Sequence, residues 1–91
     1  MLRIYNVMLK VVRELRPVVG RIESTDRDLA RQMRRALASM VLNTGEGMGS
    51  SAGTRRERYR NALGSARETR AGLDVAVALG YVEPWRATWR W

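Results

Sequence analysis

Apolar positions recur along this chain with the three-to-four-residue spacing of helices, and no stretch shows the strict alternation of a strand. Over residues 4–22 one seam runs Tyr5, Met8, Val12, Leu15, Val19, Ile22, and a second, Ile4, Val7, Val11, Val18, lies beside it. The opposite edge carries Arg3, Asn6, Lys10 and Arg13, with Arg16 and Arg21 further along and only Glu14 to oppose them. So wide an apolar face predicts either a helix buried by its own neighbours or one with a contact on each of two sides. Pro17 falls inside the pattern and predicts a kink near Arg13, whose carbonyl its ring crowds.

The second helix is predicted over 26–46. Thr25 with Asp28 forms an acidic capping box, and Ser24 and Asp26 add negative character at the helix start. Apolar positions follow at Leu29, Met33, Ala36, Leu37, Met40, Val41 and Thr44, while Arg27, Arg31, Arg34 and Arg35 share the outer face. The run Gly45-Glu46-Gly47-Met48-Gly49 reads as its end, since glycine permits a left-handed C-cap. A Gly/Ser/Ala connection over 47–53 then leads to a second capping box, Thr54 with Glu57, and a third helix over 55–80. Its predicted inner face is Tyr59, Ala62, Leu63, Ala66, Leu73, Ala76 and Val77. Ala62, Gly64, Ser65, Ala66, Ala71 and Gly72 are small enough to let a partner helix come close. Gly80 suits the position after the helix, with Tyr81 or Val82 folding back, and a short segment, 83–91, closes the chain.

Ninety-one residues make one domain spanning 1–91. Hydrophobic residues are 45% of the chain, but there is no Phe and ten of them are alanine. A domain of this size buries only about 60–65% of its unfolded surface, and small chains commonly add disulfides, metal or self-association. With no Cys and no His, self-association is the route left open. The same absence removes thiolate and imidazole metal sites, Cys or His nucleophiles and a Ser–His–Asp relay. No catalytic, cofactor or metal site is therefore expected, and the chain is read as a non-enzyme. No apolar run reaches the ~18 residues of a membrane span, and Met1-Leu2-Arg3 does not open a signal peptide. A soluble cytoplasmic protein is the expectation.

Charge changes the picture most. Seventeen Lys and Arg face nine Asp and Glu, for a net charge of +8, and sixteen of the cations are arginine. Residues 1–22 hold five cations against one acid, 23–47 four against four, and 48–80 six against three. The excess thus sits on the first and third helices. Arginine forks match phosphate oxygens, and a Thr54-capped helix start beside Arg55, Arg56, Arg58 and Arg60 would present N–H groups and cations together. Lys10, Arg13, Arg16, Arg55, Arg56, Arg58, Arg60 and Arg67 are the candidate nucleic-acid-binding residues. The competing reading is a solvated surface in a chain that favours Arg over Lys.

Other motifs carry less. The glycines between Gly45 and Gly53 lack the Gly-Lys-Ser/Thr ending and the preceding strand of a phosphate loop, so they read as a helix–helix turn. Glu46 has no partner acid in its element and is expected to hydrogen-bond across the turn or to pair with an arginine. Met8, Met33 and Met40 fall on inner faces and are expected to fill the core. The tail Pro84-Trp85-Arg86-Ala87-Thr88-Trp89-Arg90-Trp91 could stack on bases, sit at a membrane interface or begin a fourth helix; the last is preferred.

Two stretches together resemble a known family. Gln32-Met33-Arg34-Arg35-Ala36-Leu37-Ala38-Ser39-Met40-Val41-Leu42-Asn43-Thr44-Gly45-Glu46-Gly47 is similar to its second-helix signature. Tyr59 and Ala62-Leu63-Gly64-Ser65, with Glu68, Leu73 and then Leu79-Gly80-Tyr81-Val82, resemble its third. It is the four-helix-bundle family encoded by intervening sequences in bacterial 23S ribosomal RNA genes, which includes the accessory variability protein of diversity-generating retroelements. The resemblance implies an all-α, up-and-down four-helix bundle that assembles as a homopentamer. For the retroelement branch it implies a basic surface binding RNA and a reverse transcriptase. Nine residues follow Val82, enough for ~14 Å of helix, so the fourth helix is expected to be short or truncated. Three functions remain open at this point: an RNA-binding oligomeric accessory factor, a structural oligomer or protein–protein adaptor, and a membrane-surface binder.

Overall fold

The computed structural model describes residues 2–84, which form three helices: α1 (Leu2–Glu23), α2 (Arg27–Met48) and α3 (Ala52–Ala78). No strand occurs among the described residues, so the all-α expectation holds. Each helix runs antiparallel to the one before. Tyr5 near the start of α1 lies against Gly45 near the end of α2, and Met33 of α2 lies against Gly72 of α3. α1 and α3 both make their main contacts with α2.

That central position explains which faces are buried. α2 buries Ala30, Met33, Ala36, Leu37, Met40, Val41, Thr44 and Gly47, an arc broad enough to serve two neighbours. α1 buries Leu15, Val19 and Ile22, with Tyr5, Met8 and Val12 half-buried on the same ridge. Met33 and Met40 fill the core as predicted, and Met8 packs at its margin. The second seam of α1 is only partly covered: Val11 and Val18 are half-buried, while Ile4 and Val7 stand 47% and 48% exposed.

The helix boundaries depart from the sequence reading in ways that bear on the candidate site. α2 is capped by Asp26, not Thr25: its carboxylate accepts the Leu29 N–H at 3.0 Å, three residues along. α2 continues through Gly45 and Gly47 to Met48, and Gly49 has φ −102°, so no left-handed cap forms there. α3 begins at Ala52, three residues before the predicted start, and Thr54 is inside its first turn. Its Ser51 cap makes no side-chain hydrogen bond to the helix backbone. The inner face of α3 is Ala62, Ala66, Thr69, Gly72, Leu73 and Ala76, whereas Leu63, predicted inside, is 49% exposed. The far end matches its expectation. Gly80 takes φ 79°, its N–H donates to the Val77 carbonyl and that of Tyr81 to Ala76, and Val82 turns into the core. α1 runs unbroken through Pro17. The expected fourth-helix segment lies beyond Pro84, outside the described residues.

Candidate nucleic-acid interface

The eight predicted cations lie on α1 and α3, the two helices that pack on α2. On α1, Lys10, Arg13 and Arg16 are all exposed. At about 100° of rotation per residue they fan across about 120° of the helix. Lys10 also lies 4.0 Å from Glu14, an exposed i,i+4 pair that contributes little to stability but partly cancels the charge.

The early start of α3 places Thr54 in the first helical turn and not at the cap. The Arg55 N–H is inside the helical ladder, donating to the Ser51 carbonyl at 2.7 Å, and its guanidinium turns back to the Ser50 carbonyl at 3.0 Å. Arg58 faces α2, where it meets Glu46 at 3.0 Å. That pair is one of the two roles expected for Glu46. Arg56, Arg60 and Arg67 remain exposed, with no ion pair among the described residues.

Sequence reasoning missed Arg70. It lies fourteen positions after Arg56 and shares the same side of α3 with Arg56, Arg60, Leu63 and Arg67, all five within about 80° of arc. Arg70 too is exposed and without an ion pair among the described residues. The signal was present as the spacing 56, 60, 63, 67, 70, the rhythm of a buried seam written mostly in arginine.

α2 treats its arginines differently. Arg34 donates to Glu23 at 2.8 Å, and Arg31 to Asp28 at 3.3 Å. The Arg34 hydrogen bond and charge hold the Glu23 carboxyl below its ordinary value, and Arg34 itself is raised in return. Arg27 and Arg35 are both exposed and without an ion pair among the described residues. Beside α3 the α2 surface is polar rather than charged: Ser65 donates to Ser39 at 2.8 Å, and the Asn43 amide donates to the same Ser39 hydroxyl. Among the described residues no cluster of three or more Asp, Glu, His or Cys could hold a metal ion. No described helix is long and apolar enough to cross a membrane.

A family model described as 23S rRNA-intervening sequence protein matches residues 1–88. The chain belongs to that family. No curated protein and no solved structure gives a significant match. As a 23S rRNA-intervening sequence protein it shows three antiparallel helices among the described residues.

Proposed function

We propose that this 23S rRNA-intervening sequence protein is a non-enzymatic, basic helical-bundle protein that binds RNA as an oligomeric accessory factor. The observation that supports the reading is the set of exposed arginines without acidic partners among the described residues, most numerous on α1 and α3. A protein that needed arginine only for solubility would gain by interspersing acids. Unpartnered guanidinium groups fit phosphate oxygens, which supply most of the affinity in non-specific nucleic-acid binding.

Self-association belongs to the same reading. Ile4 and Val7 lie outside the contact of α1 with α2, and contiguous apolar surface of this kind is commonly covered by another chain. The homopentamer that the family resemblance implies, a four-helix architecture with segment 83–91 as a short fourth helix, and a reverse transcriptase as protein partner are the finer parts of the proposal. A structural oligomer or adaptor is the second reading, favoured only by the same exposed apolar positions.

The test is binding of the purified chain to RNA across a salt series, with its mass followed by light scattering. The RNA reading expects log affinity to fall linearly with log salt. Affinity that does not respond to salt, or no binding at low salt, would leave the adaptor reading. A mass of one chain at all concentrations would remove the oligomer.

A further inference from the structure

Resting on the RNA reading, we infer that the contact is made by α3 alone, through the row Arg56, Arg60, Arg67 and Arg70, and that its ligand is the phosphate backbone of double-helical RNA. The row is straight and about 21 Å long at 1.5 Å per residue. All four arginines are exposed and none takes an ion pair among the described residues. The acids of α3 stand aside from it: Glu57 and Glu68 lie roughly a quarter-turn or more away, and Asp74 shares the line only at its C-terminal end. Neighbouring cations three and four residues apart repel each other on a helix. None of the four takes an ion pair among the described residues, while Arg58, on the opposite side of α3, is paired with Glu46.

The choice of ligand follows from what accompanies the row. Single strands are held by aromatic platforms on which bases stack. The described aromatic nearest the row, Tyr59, has its ring packed over Gly47 of α2 and is half-buried. What stands on the row instead is Leu63, 49% exposed at its centre, whose methyl groups suit the sugar edge rather than a base face. A rigid line of cations matches a rigid line of phosphates, and A-form RNA presents one. An α-helix cannot enter the deep, narrow major groove, so the contact reads shape and carries little sequence information.

The experiment measures the salt dependence of binding to a duplex RNA hairpin for the full chain and three double variants. Arg60→Gln with Arg67→Gln should flatten the log–log slope by about 1.4–1.8, two contacts at ~0.7–0.9 each. Arg60→Lys with Arg67→Lys should keep the slope, and Arg13→Gln with Arg16→Gln on α1 should leave it unchanged. The hairpin should also bind several-fold more tightly than oligo(U) of equal length. Circular dichroism checks that each variant stays helical; the Lys pair guards against a trivial loss of fold. A slope flattened by the α1 pair, alone or equally with the α3 pair, overturns the assignment to α3 and leaves the RNA reading standing. Equal binding of oligo(U) overturns the duplex ligand. A wild-type chain that does not bind RNA overturns the reading and this inference together.

Discussion

The two seams of this bundle are built from opposite materials. Where α1 meets α2, the contact is made by branched and long side chains: Leu15, Val19 and Ile22 are 0–1% exposed and share one core cluster with Leu37, Met40 and Val41. Where α2 meets α3, the contact is made by what is missing. Ala62, Ala66, Gly72 and Ala76 bring α3 close to α2, and Met33 fills the notch at Gly72, where a Cβ would come within 2.8 Å of its Cγ. Even the buried polar groups suit close approach: Thr44 and Thr69 each donate to the carbonyl four residues back, Met40 and Ser65, so neither needs a partner across the seam. Apolar volume holds the first seam and proximity the second. They should therefore fail in different ways, one on truncation and the other on enlargement.

The largest effect is expected on the volume-built side. Leu15 is fully buried at the centre of α1. Leu15→Ala should lower unfolding free energy by about 2–5 kcal/mol, the range for core truncations, read as a shift of the urea midpoint at constant m-value. A loss below about 1 kcal/mol would mean that α1 is held mainly by contacts other than this seam. The comparison would then collapse.

The proximity-built side is tested by adding one methyl group. At Gly47 a Cβ would sit 2.5 Å from Cε1 of Tyr59, an aromatic ring with little room to swing away. Overpacking of this kind costs about 1–3 kcal/mol, against about 1 kcal/mol of helix propensity gained on replacing glycine. Gly47→Ala should therefore be net destabilising by up to about 2 kcal/mol. Gly64 is the control: it is on the same seam's helix, exposed, with nothing within 4 Å of its Cβ position. Gly64→Ala should stabilise by about 0.5–1 kcal/mol. Thermal midpoints moving the same way in both variants would show that propensity, not clearance, governs these glycines.

The same glycines show where sequence reading reached its limit. Helical periodicity located all three elements, the inner ridge of α1, the methionines of the core and the stop at Gly80, because each is a local signal. Gly45 and Gly47 were read as the end of α2 because glycine is the usual residue there. In the fold they are clearance for tyrosines from two other helices, Tyr5 at 3.3 Å and Tyr59 at 2.5 Å from the missing Cβ atoms. That is a long-range reason with no local signature. The caps were misplaced for a subtler cause. In Ser24-Thr25-Asp26 three cap-forming residues are adjacent, and the choice of Asp26 is settled by reach to Leu29 N and by Tyr81, fifty-five residues away. The candidate site was legible as an excess of arginine on the first and third helices. Which of those arginines are free was not, since only the approach of α2 shows that Arg58 meets Glu46.

The smallest expected effect concerns the bond that ties the end of α3 to the cap of α2. The Tyr81 hydroxyl, just past α3, donates at 3.0 Å to Oδ2 of Asp26, the cap between α1 and α2. The Leu29 N–H foremost, and Tyr81 after it, hold the Asp26 carboxyl below its ordinary 3.8. The same bond to Asp26 raises the Tyr81 phenol above its ordinary 10.0. A carboxyl whose folded value is depressed contributes stability that is present above about pH 4 and is lost as pH falls through the folded value. A phenol whose folded value is raised contributes stability that is present below about pH 10 and is lost as pH climbs through the folded value. Tyr81→Phe removes the donor hydroxyl but leaves the Leu29 N–H on Asp26. The variant should therefore lose the whole alkaline component that Tyr81 supplies and only part of the acid one. Urea midpoints measured across pH 2–5 and 9–11 for wild type and variant check this, with the Asp26 titration followed by carboxyl NMR. An Asp26 titration identical in the two proteins would show that the tyrosine contributes nothing to the cap, and the two seams would then be joined through α2 alone.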